Sequence, residues 1–579
     1  MMIELYLKLF LLQYHSLHQI TLLRLLILLT LLAPPPAVSG QTEVVSGQQG
    51  MVATVHPLAT QAARKAFANG GNAVDAALTA AITLGVVDGY NSGIGGGCFI
   101  LIRTPSGKLY AIDGRETAPR QATVEMYYRD GKADTALSQV GALASGTPGA
   151  IAAYHLAWRK CGQLAWSEHF TEAAKIAREG FPISERYSRI LAGKQEMFER
   201  FSGSRKVFIH NGKTLAADER LVQADLARTL DGIATHGPSY FYRGPVAKKI
   251  SEWMANNGGV LNEQDFVNYR AKTRKPIVTS YRGHTVIGMP PPSSGGIHVA
   301  QILNMLEQFP VRDMYLEQPA QYIHHVAEAM KLAFADRAFY LGDPDFTRVP
   351  SGLISKPYAQ QLANRIDSTA SMSVESHGLP PHRIPLKPQR HTTHIAAADQ
   401  QGYWVAMTAT INTSFGSKVI VPGTGIVLNN EMDDFALAPG VANAFGLIGS
   451  DANKVESRKR PLSSMSPTIV LDKGSQQPLF TLGAAGGPKI ITSVVLGISG
   501  VIDLELSPYD ALKKPRFHHQ WSPDRLYLEQ SHSPEIGVAM KALGHNVYST
   551  SSAGVMQMIY QNPETGEFTG VVEPRNRDW

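Results

Sequence analysis

Cysteine is nearly absent: Cys98 and Cys161 are the only two in 579 residues. A disulfide framework therefore does not hold the chain together, and the two thiols read as free, buried small residues. Charge is sparse as well, at 18% of residues with a formal net charge of +6. The densest basic run, Arg458-Lys459-Arg460, is three residues long and reads as a solvated loop, so nucleic acid is not expected as a partner. Several common catalytic signatures are missing too. There is no HExxH zinc motif and no G-x-S-x-G elbow. Gly93-Ile94-Gly95-Gly96-Gly97-Cys98 lacks the last glycine of a dinucleotide fingerprint, and Gly486-Gly487-Pro488-Lys489 lacks the spacing of a phosphate loop. These glycine runs read as tight turns, some of which present N–H groups to an anion or oxyanion. His324, His325 and Glu328 are expected on a packed helix rather than on zinc, so neither a metal nor a cofactor is expected.

The first forty residues differ from the rest. Ile3 to Leu12 is apolar, Arg24 precedes a second apolar run from Leu25 to Leu32, and Pro34-Pro35-Pro36 and Ala37-Val38-Ser39-Gly40 come next. That second run is short of the about 20 residues of a comfortable membrane span. The pattern reads as a secretory signal peptide over 1–40, cut near Gly40, which implies export; an uncut leader would anchor the chain to a membrane.

Beyond the leader the chain is ordinary globular material, and 44% of all residues are hydrophobic. Alanine at helical spacing from Leu58 to Val87, broken at Gly70-Gly71, predicts two small-residue helices, the second capped by Asn72 with Asp75 three residues on. Helical periodicity returns from about Ile151 to Arg178 and from Gln321 to Tyr340. Strand pairs are predicted for Phe99–Arg103 with Leu109–Ile112, for Ile395–Ala398 with Tyr403–Thr410, and around Asn562 to Gly566. The stretch from Asp367 to Arg390, rich in Ser, Pro, His and basic residues, reads as an exposed, mobile connection that stops just before Thr392. Paired strands and separate long helices predict a layered α+β domain.

On their own, Thr392 and Thr393 are two β-favouring residues. Their setting gives them more meaning. Thr392-Thr393-His394, Thr410-Ile411-Asn412, Asn429-Asn430-Glu431-Met432-Asp433-Asp434-Phe435, Pro461-Leu462-Ser463-Ser464-Met465-Ser466-Pro467 and Gly483-Ala484-Ala485-Gly486-Gly487 occur in that order. Upstream stand Gly70 to Ala76, Gly93 to Gly97, Asp113-Gly114-Arg115-Glu116, Gly146 to Gly149, Pro291 to Gly296 and Ala335-Asp336-Arg337, and near the end Pro515 to Gln520. In order and spacing these motifs closely resemble the γ-glutamyltranspeptidases, over roughly residues 50 to 575.

The resemblance implies a four-layer αββα fold of the N-terminal nucleophile hydrolases. It implies a precursor that cuts itself between His391 and Thr392 into a large subunit, 41–391, and a small one, 392–579, which stay together as a heterodimer. Thr392 would be the nucleophile and its new α-amine the base. By the same resemblance Thr410 would orient Thr392, and the N–H groups of Gly486 and Gly487 would form the oxyanion hole. Arg115, Ser463 and Ser464 would grip the α-carboxylate of a γ-glutamyl group, and Asn412, Glu431 and Asp434 its ammonium. Glutathione and γ-glutamyl peptides would be donors, and water, amino acids or dipeptides acceptors. Glu431 stands where many bacterial relatives have glutamine, and Phe445 falls in the expected lid where tyrosine is common. An acylase for another amide, such as a cephalosporin side chain, and a catalytically idle binding protein are the competing readings.

Overall fold

A computed structural model describes residues 44–380, 392–438, 441, 443–446 and 451–575. The leader and His391 lie outside them. At the centre is the hairpin Thr393–Asp399 and Trp404–Thr410, in which every residue is buried. Such strands are covered on both faces, which explains why they read as continuous small and apolar runs without alternation. The turn between them is closed by Gly402, at φ 95°, and by the Asp399 carboxylate, which accepts from Tyr403 N at 3.0 Å.

The hairpin sits in a six-stranded antiparallel sheet, in spatial order Lys272–Arg274, Leu109–Gly114, Gly97–Arg103, Trp404–Thr410, Thr393–Asp399 and Gly50–Ala53. A second, seven-stranded antiparallel sheet runs Val44–Gly47, Phe568–Val572, Val555–Gln561, Pro478–Ala485, Thr468–Leu471, His284–Gly288 and Ile277–Tyr281. Between the sheets lies one apolar core, with Ala396, Ala398, Ala406 and Trp404 from the first facing Ile287, Ile469, Ile559 and Phe568 from the second. Helices Ala73–Val87 and Ala150–Cys161 cover the outer face of the six-stranded sheet. Gly295–Leu306 and Lys489–Ile502 cover the other sheet, with Pro319–Tyr340 packed on Gly295–Leu306. Three apolar cores between four layers give the αββα sandwich. Among the described residues no helix is long and apolar enough to cross a membrane.

The capping box at Asn72 and Asp75, the predicted hairpins and the long helix ending at Tyr340 are all present, and both cysteines are free and buried. Three expectations change. The helix expected from Ile151 to Arg178 is two, Ala150–Cys161 and Glu168–Glu179. They are parted because the Asp75 carboxylate takes the N–H groups of Gln163 (2.9 Å) and Leu164 (3.3 Å), pulling the chain off the helix at Gly162. Arg458-Lys459-Arg460 is not a solvated loop: only Arg458 is exposed. Lys459 pairs with Glu456 at 2.7 Å, while Arg460 donates to Asp113 Oδ1 at 2.5 Å and to the carbonyls of Asp113, Arg115 and Arg270. The connection after Asp367 has no regular structure as far as it is described, to residue 380, yet it is tethered along the long helix. Glu328 accepts from Ser371 Oγ (3.0 Å) and Met372 N (3.1 Å), and Asp336 from Gly378 N (2.7 Å).

Candidate active site

Thr392 directly precedes the central strand Thr393–Asp399. Its side chain is 2% exposed, and its hydroxyl makes no hydrogen bond within the described residues. On the neighbouring strand Thr410 is fully buried, and its Oγ1 accepts from Asn412 N at 2.8 Å, which holds the loop beyond the strand. Close packing shapes this end of the sheet: a Cβ on Gly96 would lie 1.9 Å from the Thr410 carbonyl oxygen. Strand Pro478–Ala485 ends beside the same cavity in Gly486 (φ 124°) and Gly487 (φ 66°), two consecutive backbone conformations that side chains disfavour. A cavity of about 550 Å³ is lined by Thr392, Thr393, Gly486 and Phe445, among others. Asp88 lines it too and accepts from Thr393 Oγ1 at 3.3 Å; burial pushes its carboxyl up to about 7, against hydrogen bonds from Asn91, Tyr90 and Thr393 and the charge of Arg186.

Arg115 follows the strand Leu109–Gly114 and is 1% exposed. Its guanidinium donates to the carboxylates of Glu431 and Asp434, to Pro461 O at 3.0 Å and to Leu462 O at 3.1 Å. Glu431 and Asp434 share one turn of 3-10 helix, Glu431–Asp434, which places both on the same guanidinium. Asn412, at φ 73°, donates to the carbonyl of Asn430 at 2.9 Å, the residue before that turn. Ser463 and Ser464 directly follow the carbonyls that Arg115 holds. The structure thus gathers Arg115, Asn412, Glu431, Asp434, Ser463 and Ser464 into one cluster. The two signs expected at opposite ends of a substrate are here in direct contact.

Two charged residues in this cluster were not singled out by sequence reasoning. Arg337, fully buried on the long helix, donates from Nε to Ser294 Oγ (2.7 Å) and from Nη2 to Ser464 Oγ (2.5 Å), while Nη1 has no hydrogen-bond partner among the described residues. The signal was an arginine on the same apolar stripe as Met330, Ala333 and Phe334. Glu116, fully buried, lies 3.6 Å from Arg115. Burial pushes the Glu116 carboxyl up to about 7 despite Arg115, and raises Glu431 and Asp434 well above the ordinary carboxylate range. Burial also drives Arg337 down to about 9. For Arg115 burial acts the same way, but Glu431, Asp434 and Glu116 outweigh it and hold its pKa above the usual value. Among the described residues Asn412 Oδ1 and Asp434 Oδ1 are buried acceptors without a hydrogen-bond partner, as is the donor Arg337 Nη1, while the Glu116 and Glu431 carboxyls share a hydrogen bond. Buried polar atoms are seldom left without partners, so the cluster has the character of a site for a small ligand carrying both a cation and an anion.

Among the described residues, one His/Glu group elsewhere has metal-ligating atoms close together: His324, Glu328 and His545, within 4.8 Å of one another. Glu328 already has a cation, with Lys331 Nζ 2.9 Å away, and His324 bonds His545 at 2.8 Å and the Asp367 carbonyl at 2.6 Å. His545 Nδ1 has no hydrogen-bond partner among the described residues.

A threonine at the head of a central strand, in the middle of an αββα sandwich, with a glycine pair beside it, is the arrangement of an N-terminal nucleophile hydrolase. Residues 59–578 match the family model described as gamma-glutamyltranspeptidase, and the chain belongs to that family. It is 41% identical over 552 residues to a glutathione hydrolase proenzyme of Escherichia coli K12, covering 94% of each chain. It is 36% identical to an acylase proenzyme of Pseudomonas sp. SE83, over 93% of this chain and 94% of that one. Among solved structures it resembles a cephalosporin acylase from Bacillus halodurans, with TM-score 0.82 and 28% identity over 94% of this chain and 97% of that one. It also resembles the γ-glutamyltranspeptidase of Helicobacter pylori, with TM-score 0.53 and 38% identity over 57% of this chain and 94% of that one.

Proposed function

We propose that this chain is an exported precursor that cuts itself between His391 and Thr392 and then transfers γ-glutamyl groups from glutathione and related amides to water, amino acids or peptides. The observations that carry the reading are the Thr392 hydroxyl, buried without a hydrogen-bond partner among the described residues at the head of the central strand, and a buried cluster that leaves both an anion donor and cation acceptors unpaired. In maturation the Thr392 Oγ attacks the His391 carbonyl carbon, the C–N bond breaks, and the acyl group passes to oxygen as an ester. Water then hydrolyses that ester, releasing the large subunit's new carboxylate and leaving a free α-amine on Thr392. With an ordinary pKa of about 8, that amine takes the hydroxyl proton when Oγ next attacks the γ-carbonyl of a donor. The N–H groups of Gly486 and Gly487 receive the oxyanion, each worth about 3 kcal/mol in the transition state. The proton passes to the departing amine, and water or an acceptor amine resolves the γ-glutamyl ester.

In this reading Arg115, assisted by Ser463 and Ser464, receives the α-carboxylate, and Asn412, Glu431 and Asp434 receive the ammonium. Substrate entering the cluster replaces part of the internal pairing of Arg115 with Glu431 and Asp434. Thr410 supports Thr392 from the adjacent strand. The likeness to cephalosporin acylases favours a second reading, hydrolysis of a different acyl amide on the same machinery. Intact-mass and N-terminal analysis of wild type and Thr392→Ala tests the nucleophile. The wild type is expected as two chains, the smaller starting at Thr392, and the variant as one. An uncleaved, inactive wild type would sink the proposal, and turnover of a cephalosporin side-chain amide but not of a γ-glutamyl anilide would replace it with the second reading.

A further inference from the structure

The cavity at Thr392 is lined by none of Arg115, Asn412, Glu431, Asp434, Ser463 or Ser464. It is therefore distinct from the cluster assigned to the γ-glutamyl group, and the space it offers belongs to whatever lies on the amine side of the scissile bond. Among the described residues its charged lining is one-sided: Arg186, Lys489 and Arg525, against Asp88 as the only carboxylate. Lys489 is the first residue of the 14-residue helix Lys489–Ile502, directly after the Gly486-Gly487-Pro488 turn. Its ammonium is fixed by Ser552 O at 2.7 Å and Thr550 Oγ1 at 3.3 Å. Arg525 is half-buried and stacked over the Tyr548 ring at 4.6 Å. The positive end of the helix adds to the same field. A volume of about 550 Å³ lies within the roughly 300–1,000 Å³ of small-ligand pockets and leaves room for a dipeptide.

We infer that Lys489 and Arg525, backed by Arg186, form a subsite for the terminal carboxylate of the peptide on the amine side of the γ-glutamyl bond, both as it leaves and as an acceptor enters. This rests on Thr392 being the nucleophile for γ-glutamyl amides. A peptide bound with its amine at Thr392 carries its carboxylate into the same cavity, which these cations line, whereas an amidated peptide of the same shape forfeits that contact. The subsite thus selects acceptors by charge rather than by side chain.

The test uses the mature enzyme with γ-glutamyl-p-nitroanilide as donor and glycylglycine or glycylglycinamide as acceptor, reading the ratio of their kcat/KM values for transfer. Wild type is expected to favour the free carboxylate by about tenfold, the factor that one modest charge-assisted contact supplies. Lys489→Gln and Arg525→Gln should each shrink that ratio, and the double variant should bring it near one. Arg525→Glu, at a half-exposed position that tolerates substitution, should push it below one. Because both acceptors are compared on the same protein, a general loss of activity leaves the ratio readable. A wild-type ratio near one, or variants that keep the wild-type ratio, would overturn the subsite while leaving the nucleophile intact. A wild type that releases no p-nitroaniline would instead overturn the reading beneath it.

Discussion

Replacing Arg337 with glutamine tests whether a residue that need not touch substrate sets the affinity of the candidate site. Ser464 has one hydroxyl proton. Because Arg337 Nη2 donates into the Ser464 oxygen at 2.5 Å, that proton is turned away from Arg337 and is available to a carboxylate. Hydrogen bonds to charged groups contribute about 1.5–3 kcal/mol, so a coupling of about 2 kcal/mol, roughly 30-fold in kcat/KM, is expected between the two residues. The measurement is a double-mutant cycle of wild type, Arg337→Gln, Ser464→Ala and the double variant, with a γ-glutamyl anilide as substrate. The loss should appear mainly in KM, and the double variant should be scarcely worse than Arg337→Gln alone. Effects that add within about 0.5 kcal/mol would refute the argument, since independent residues behave that way. Thermal unfolding supplies the control. Burial holds the Arg337 pKa down at about 9, so the charge is itself a cost to the fold, and Tm should fall little or rise while activity drops.

Arg115→Lys should mature normally yet raise KM for γ-glutamyl donors by at least about tenfold, because one ammonium cannot reproduce a fork that also holds Pro461 O and Leu462 O; an unchanged KM in steady-state assays would remove Arg115 from the site. Gly486→Ala forces a side chain onto φ 124° with its Cβ 3.1 Å from Gly554 Cα, a strain of about 1–3 kcal/mol that would misdirect the proposed oxyanion donor. Its kcat should fall by about 100-fold or more, on the order of a lost oxyanion-hole contact, with KM little changed. Asp88→Asn tests the raised carboxyl. An acid whose pKa climbs on folding from 3.8 to about 7 adds stability below pH 4 that is lost as pH rises to 7. Removing it should make the variant gain on wild type from pH 4 to pH 8, by up to about 4 kcal/mol, in chemical denaturation; a constant difference would count against the assignment.

The local elements were legible because their signals are local. The alanine spacing before Val87, the Asn72 cap and the turn at Asp399 to Gly402 each act within a few residues, and each element formed where it was expected. The break at Gly162 was not legible, because the group that causes it, Asp75, is on another helix. Arg458-Lys459-Arg460 shows the same limit from the charged side. Its composition reads as surface, yet Arg460 is drawn inside by Asp113 and by carbonyls that only tertiary structure brings together. The candidate site residues were named through family resemblance alone. Nothing in spacing separates Arg115 from an exposed ion-pairing arginine, and nothing in the sequence shows that its partners are Glu431 and Asp434, more than 300 residues away.

This placement of charge also bears on how the site fits the fold. Glu116, Glu431, Asp434, Arg115 and Arg337 are all buried, and taking such charges out of water is compensated only where each finds a partner. Arg115 does so through two carboxylates and two carbonyls, but Glu116 at about 7 and Arg337 at about 9 register a desolvation that their neighbours do not cancel. The deficit must come from elsewhere, and the three apolar cores that separate the four layers are the available source. A ligand that presents a carboxylate and an ammonium together relieves both ends of the deficit at once. Binding such a ligand should therefore stabilise the fold more than binding either charge alone. A larger rise in Tm with glutamate than with equal concentrations of glutarate or γ-aminobutyrate would bear this out, and equal shifts would show that the cluster is balanced without substrate.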